Sequence, residues 1–404
     1  MTDAATQPRQ PLRARPGFVL AVGFVVLFIG GGARFTVGLT LKPMVEEFGW
    51  LRGDIGQAVA LFQVISALAM FAAGNLVDRM SPRLVLSGGI LLAGIGIGAM
   101  SVIYAPWHAL VLYGVIFAIG NGVASVIPVG VMVTRAFPKR TGIANAVVMS
   151  GMSVGQLVVI AVLAAVLLTV SWQSVYLWLG IAHLALVPLL MLAIPGTSPA
   201  QSKAARPLDG LGVAQAARTK PFWLLIAIYA ICGFDDFFVS THVVAFAQDR
   251  GVDAFLAGNL LAVMGLMGLI GVVASGAFSD RAGPIWPTAL CFIARAAVSV
   301  LVLVDKSTLS VTIFALVFGI TFLVTAPLCV VFVLRHFGPR HLGSLTGLIT
   351  MIHHMCGGVG AYLGAASFDA TGNYDLAFMI MLALSFVAAL LTFMLRKPNE
   401  IATA

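Results

Sequence analysis

The chain has 404 residues, of which 60% are hydrophobic and only 9% charged, with a mean hydropathy of +1.04. A soluble domain carries about 45–50% apolar and about 25% charged residues, so this composition excludes a water-soluble globule. The net charge of +8 would suit a nucleic-acid partner if it were clustered for that purpose, but its distribution along the chain gives it another meaning.

Apolar runs of 20 or more residues recur along the chain, each long enough to cross a hydrocarbon core of about 30 Å. Lipid cannot satisfy backbone N–H and C=O groups, so such runs must be helices. Residues 1–16 form a basic tail. Spans are predicted at 17–43, 55–77, 84–104, 107–133, 141–168 and 172–194, then at 221–248, 255–279, 285–304, 308–334, 341–368 and 374–395. The first run has no small-residue cleavage site and is too long for a signal peptide, so it stays as a span.

Residues 195–220, opening with PGTSPAQSKAARPLDG, have no apolar period and read as a linker. The expected organisation is therefore a tail (1–16), a six-helix bundle (17–194), the linker (195–220), a second bundle (221–396) and a tail (397–404). The basic residues divide unevenly: 17 Lys and Arg fall on the side of the N terminus and four, Lys42, Arg52, Arg250 and Lys306, on the other. The positive-inside rule puts both termini and the linker in the cytoplasm. Cys232, Cys291, Cys329 and Cys356 lie in apolar segments without metal-ligand spacing and read as packing residues. No metal and no cofactor are expected.

The halves repeat. Gly74-Asn-Leu-Val-Asp78-Arg79 after span two returns as Gly276-Ala-Phe-Ser-Asp280-Arg281 after span eight, an offset of 202 residues. Arg135-Ala-Phe137-Pro-Lys-Arg140 after span four returns as Arg335-His-Phe337-Gly-Pro-Arg340 after span ten, an offset of 200. Two motifs at nearly one offset indicate duplication.

The G-x-x-x-D-R loops resemble the hallmark of the major facilitator superfamily. Phe48-Gly49-Trp50, Arg135-x-Phe137-Pro138-x-Arg140-x-Gly142 and Cys232-Gly233-Phe234…His242 are similar to the bacterial monocarboxylate and oxalate/formate carrier branch. In the first loop Ser81 and Pro82 stand where the family's glycine is usual, and the second keeps Gly283 but lacks the trailing basic residue. That branch commonly carries an arginine in span eight, where this chain has no charge. The resemblance implies an all-α membrane protein of twelve transmembrane helices in two pseudo-symmetric six-helix bundles. It also implies that Asp78, Arg79, Arg135, Asp280, Arg281 and Arg335 latch the cytoplasmic side; the alternative is that they only mark turns.

Ionisable residues inside a span cost about 2.5–3.5 kcal/mol each on insertion scales, so each marks a candidate site. They are Arg34, His183, Asp235, Asp236, His242, Arg295, His353 and His354. Shifting Arg34 by 202 lands on Asp236, which predicts an Arg34–Asp236 pair across the midplane, either functional or a staple. Asp235 and Asp236, with His242 two turns on, are candidate proton carriers. His353, His354 and Asn121 are candidate substrate ligands, with interhelical hydrogen bonding and helix packing as the plainer roles. Arg295 and His183 fall on peripheral spans and read as structural. Gly30-Gly31-Gly32 beside Arg34 permits either a bend or close packing.

The expectation is a monomeric secondary transporter of the inner membrane, moving a small organic solute, a carboxylate first, by alternating access and proton symport. Efflux of an amphipathic or cationic compound is the alternative, and a membrane receptor on a carrier scaffold the third. The partners are the solute, the bilayer and a proton or other coupling ion, with no nucleic acid. No nucleophile–base set appears, so no enzyme is expected.

Overall fold

The computed structural model describes residues 16–137, 141–194, 210–338 and 340–395. The first half comprises α1 (Pro16–Phe48), α2 (Arg52–Arg79), α3 (Pro82–Ala99), α4, α5 (Thr141–Val166) and α6 (Trp172–Ala193). The second comprises α7 (Lys220–Asp249), α8 (Ala254–Ala282), α9 (Ile285–Val304), α10, α11 (Leu342–Thr371) and α12 (Asp375–Met394). Among the described residues eleven helices are long and apolar enough to cross a membrane. The twelfth, α11, is equally long, but His353, His354 and a run of glycines dilute its apolar character.

The fourth helix of each half is broken, which the predicted spans miss. α4 runs through Pro106–Val111, a π turn at Leu112–Phe117 and Ala118–Val123, stops at Ala124 and Ser125, and resumes as Val126–Ala136. α10 runs Thr308–Phe322, stops at Leu323 and Val324, and resumes as Thr325–Phe337. In each, the third residue of the second segment is a proline, Pro128 or Pro327. Having no N–H, each leaves the carbonyl four residues back without its helical donor, and its ring clashes there. Pro43 and Pro188 lie inside continuous helices, so the two breaks are matched features of the halves and not a bare consequence of proline.

The halves meet along α1 with α7, α2 with α11, and α5 with α8. The glycine triplet of α1 serves packing: a Cβ on Gly31 would lie 2.6 Å from the Met152 carbonyl oxygen, and α1 continues unbroken through it. Within the second half α7 and α11 approach most closely, with the His353 carbonyl lying where a Cβ on Gly233 would be. That contact fixes how His353 meets α7. Replacing Gly233 with Val must push α11 away; overpacking of this kind costs about 1–3 kcal/mol. A lower melting temperature of the purified Gly233→Val variant in detergent is expected, and an unchanged one would show that the helices tolerate the added volume.

Candidate solute-binding cavity

A cavity of about 300 Å³ lies between the halves. α1 contributes Gly30, Gly31 and Arg34, the α4 break Asn121 and Ser125, and α5 Ser153 and Gln156. Across the seam α7 contributes Tyr229, Asp236 and Phe237, the α10 break Leu323 and Thr325, and α11 Thr350, His353 and His354. Paired helix breaks at equivalent places are where carriers built from repeats expose backbone to their solutes. The lining residues lie at or near mid-helix or toward the face that holds the start of α1 and the end of α2.

Arg34 sits at the inner end. Its Nη2 donates to Gln63 Oε1 at 3.2 Å and lies 3.3 Å from His354 Nδ1. Its guanidinium carbon stands 4.8 Å from the Phe237 ring centroid, and its buried Nε has no partner. Gln63 and Phe237 belong to opposite halves, so the guanidinium bridges the seam without a carboxylate.

The predicted Arg34–Asp236 pair is not what forms. Both side chains line the cavity, but Asp236 Oδ1 is taken by Arg295 Nη2 at 2.6 Å. Arg295 is fully buried; its Nε donates to Thr321 Oγ1 at 3.1 Å and its Nη2 to the Thr321 carbonyl at 3.0 Å. Its Nη1 lies 3.7 Å from Asp235 Oδ2, which also accepts from Ser385 at 2.9 Å. Asp235 therefore faces α12 and Asp236 the cavity. Arg295 is buried and paired, the arrangement expected of a structural residue on α9, but the acids it holds are the candidate site acids. His183 is likewise structural: it is buried and bonded through Nδ1 to the Leu179 carbonyl at 2.8 Å.

His353 Nδ1 lies 3.3 Å from the Tyr229 carbonyl, which can only accept, so the proton is on Nδ1. Its bare Nε2 then faces Asp236 Oδ2 at 3.8 Å. Cys232, one turn before Asp236, places Sγ 3.4 Å from the same oxygen.

The opposite face is shut by a cluster that sequence reasoning missed. Arg52 Nη1 meets Asp249 Oδ2 at 2.7 Å and the Tyr374 hydroxyl at 2.6 Å, while its guanidinium lies 3.6 Å from the Phe368 centroid. Lys42 also reaches Asp249, at 3.0 Å. Asp369 of α11 accepts from the Arg52 and Gly53 backbone N–H groups at 3.0 and 2.6 Å, so one half caps a helix of the other. His242 joins this cluster, its ring held by Tyr374 at 3.1 Å and the Ala361 carbonyl at 2.8 Å. Phe48-Gly49-Trp50 is the nearby α1–α2 turn, where Gly49 adopts φ +66° and the flanking rings stack at 4.5 Å.

Of the six latch charges, Asp78, Arg79 and Arg135 have side chains outside the described residues, as are Lys139 and Arg140 entirely. Asp280, Arg281 and Arg335 are exposed on the cavity-side face, and no ion pair joins them among the described residues.

Two bundles of membrane-length helices that enclose a largely apolar cavity with a few polar groups at their seam, held together on one face by ion pairs, have the architecture of a solute transporter. The model of the Major Facilitator Superfamily matches residues 23–361 and 246–403, and the chain belongs to that family. It is 26% identical to the uncharacterized MFS-type transporter YcxA of Bacillus subtilis (strain 168), over 93% of this chain and 95% of that one. It is 24% identical to monocarboxylate transporter 13 of Rattus norvegicus, over 90% and 80%. A bacterial homolog of the human lysosomal transporter Spinster, solved inward-facing and unoccupied, shares the fold with a TM-score of 0.76 at 16% identity, covering 96% of this chain and 98% of that one.

Removing one partner of a buried ion pair costs about 3–5 kcal/mol, because the other charge is left without compensation. Arg295→Met leaves two buried carboxylates and should lower the melting temperature in detergent more than Asp236→Asn does. Arg295→Lys should recover only part of the loss, since an ammonium cannot reach Thr321 and both acids in the fork geometry of a guanidinium. Equal melting of all three variants would refute this assignment.

Proposed function

We propose that the chain moves a small organic carboxylate across the bacterial inner membrane by alternating access, as a proton symporter. The observation that carries this proposal is Arg34: among the described residues it is the cavity-lining cation with no carboxylate partner. A solute anion would supply the missing acceptor at Nε, with Asn121 and His354 in reach of its remaining polar groups. The name of the rat relative, a monocarboxylate transporter, agrees. Efflux of a cation finds less support, because Asp236, the acid it would need, is engaged by Arg295.

With both termini cytoplasmic, as the basic-residue count implies, the sealed face is periplasmic and this conformation is inward-open. Outward opening must separate Arg52 and Lys42 from Asp249 and withdraw Asp369 from the start of α2. The charges of the opposite face, Asp78, Arg79, Arg135, Asp280, Arg281 and Arg335, would then latch the cytoplasmic side. Proton coupling is assigned to Asp236 with His353, whose facing acceptor atoms need one proton between them. Asp235 serves as a reserve acid, while His242 acts through the periplasmic cluster.

Hydrogen bonds to a charged group contribute about 1.5–3 kcal/mol. Arg34→Ala should therefore raise the KM for the transported carboxylate roughly 10- to 100-fold. The measurement is uptake by purified protein in liposomes across labelled carboxylates and cations, with and without a pH gradient. Wild-type KM in Arg34→Ala would remove the anion site, and gradient-independent uptake would remove the symport.

The gate is tested separately. Losing a side-chain helix cap costs about 0.5–2 kcal/mol, so Asp369→Ala should shift the population toward the outward-open state. A cysteine introduced at Asn121 should then react more slowly with an impermeant maleimide from the cytoplasmic side in Asp369→Ala than with Asp369 intact. No change in labelling would dissociate Asp369 from gating.

A further inference from the structure

Cys232, Asp236 and His353 bring a thiol, a carboxylate and an imidazole to one place on the cavity floor, with their ligand atoms all within 4.8 Å of one another. α7 supplies Cys232 and Asp236 four residues apart and so on one face, and α11 supplies His353. Each ligand atom is oriented by a neighbour that leaves it free to coordinate. Nδ1 of His353 donates to the Tyr229 carbonyl at 3.3 Å, which turns the lone pair of Nε2 inward. Oδ1 of Asp236 is held by Arg295 at 2.6 Å, which leaves Oδ2 facing both partners. Sγ of Cys232 lies 3.1 Å from Thr325 Oγ1 and 3.7 Å from Arg295 Nη1, a cationic neighbour for its thiolate.

The separations suit a tetrahedral ion. With Zn–S near 2.3 Å and Zn–N and Zn–O near 2.0–2.2 Å, neighbouring ligand atoms of such an ion lie roughly 3.3–3.7 Å apart. Here Sγ and Oδ2 are 3.4 Å apart, and Oδ2 and Nε2 are 3.8 Å apart. The charges around the cavity floor, two arginines and two aspartates, sum to zero although both acids face Arg295, so the thiolate adds the negative charge that favours a cation. The donor set disfavours Mg²⁺ and Ca²⁺, which require oxygen ligands.

We infer that Cys232, Asp236 and His353 bind a divalent transition-metal ion of the Zn²⁺ class, with a fourth coordination position open to the cavity. Binding releases the Sγ proton to solvent and fills the gap between Oδ2 and Nε2. Metal binding itself does not depend on which solute is moved.

The test uses the full chain, purified through a tag other than polyhistidine and titrated with Co²⁺ in detergent at neutral pH. One equivalent should give intense visible bands of a tetrahedral site and a near-ultraviolet thiolate-to-Co²⁺ charge-transfer band. Zn²⁺ should bleach both. Cys232→Ser should lose the near-ultraviolet band, His353→Gln should weaken Co²⁺ binding at least 10-fold, as loss of even an orienting neighbour of a ligand does, and Cys291→Ser should leave both features intact. His353→Gln keeps the thiol and both buried ion pairs, so it decides the matter even where Cys232→Ser fails to fold. Absence of the near-ultraviolet band, or its survival unchanged in either variant, overturns the proposal.

Discussion

A fully buried guanidinium must be given its counter-charges by the protein, and Arg295 takes both from α7. α7 brings Asp235 and Asp236, and α10 brings Thr321 near the end of its first segment, where the helix is about to break. Ser385 of α12 donates to the same Asp235 oxygen that faces Arg295. The arrangement is expensive to disturb, because removing any charged member leaves another in a low-dielectric interior. Its indirect effect is larger than its own stability: with both acids committed to Arg295, Arg34 faces the cavity without an acid. The polarity of the cavity, cationic on the α1 side and neutralised on the α7 side, follows from that one allocation.

α1 and α7 each carry a cavity group and a gate group. α1 holds Arg34 and, eight residues later, Lys42; α7 holds Asp236 and, thirteen residues later, Asp249. At 1.5 Å per residue these are separations of about 12 and 20 Å along stiff helices. Between the two levels the helices touch at Gly38, where a Cβ would lie 2.5 Å from the Ser240 carbonyl oxygen. A close backbone contact between a binding level and a gate level is a fulcrum. On the alternating-access proposal, closing the cavity around an anion at Arg34 would swing Lys42 away from Asp249, and no wire of side chains is required.

Much of this was legible in the sequence, and what was not has a common cause. The spans and the two halves follow from apolar run length and the repeat, and the meeting of Arg34 and Asp236 at one cavity from the 202-residue offset, whereas His353 and His354 are placed there by the family resemblance and Asn121 by its flanking glycines. The offset brings Arg34 and Asp236 to one cavity, but it cannot tell which of two arginines reaches the acid first. That depends on helix rotation, and adjacent Asp235 and Asp236 differ by about 100°. Cys232 and His353 lie on different helices, so no linear spacing announces their meeting. Arg52, Asp249 and Asp369 read as loop charges because their partners lie in the other half. The matched prolines Pro128 and Pro327, 199 residues apart, were a signal for the paired helix breaks and stood in plain view.

The two charge clusters differ in a way that suits a moving part and a fixed one. The central cluster is sealed, lies wholly within the second half, and need not change when the halves rock. The Arg52 cluster straddles the seam, and its acid Asp249 is partly exposed, keeping 23% of its side-chain surface. Exposed pairs contribute only about 0–1 kcal/mol each, so a few of them together with one helix cap hold the face shut without locking it. Arg52 is the exception, since it is nearly buried. It stacks on Phe368, next to Asp369 in α11, and bonds to Tyr374, just before α12. On the alternating-access proposal α11 is then a helix through which this face would open, and it also carries His353 and His354 to the cavity. An event at the cavity floor that shifts α11 reaches Arg52 through one rigid element.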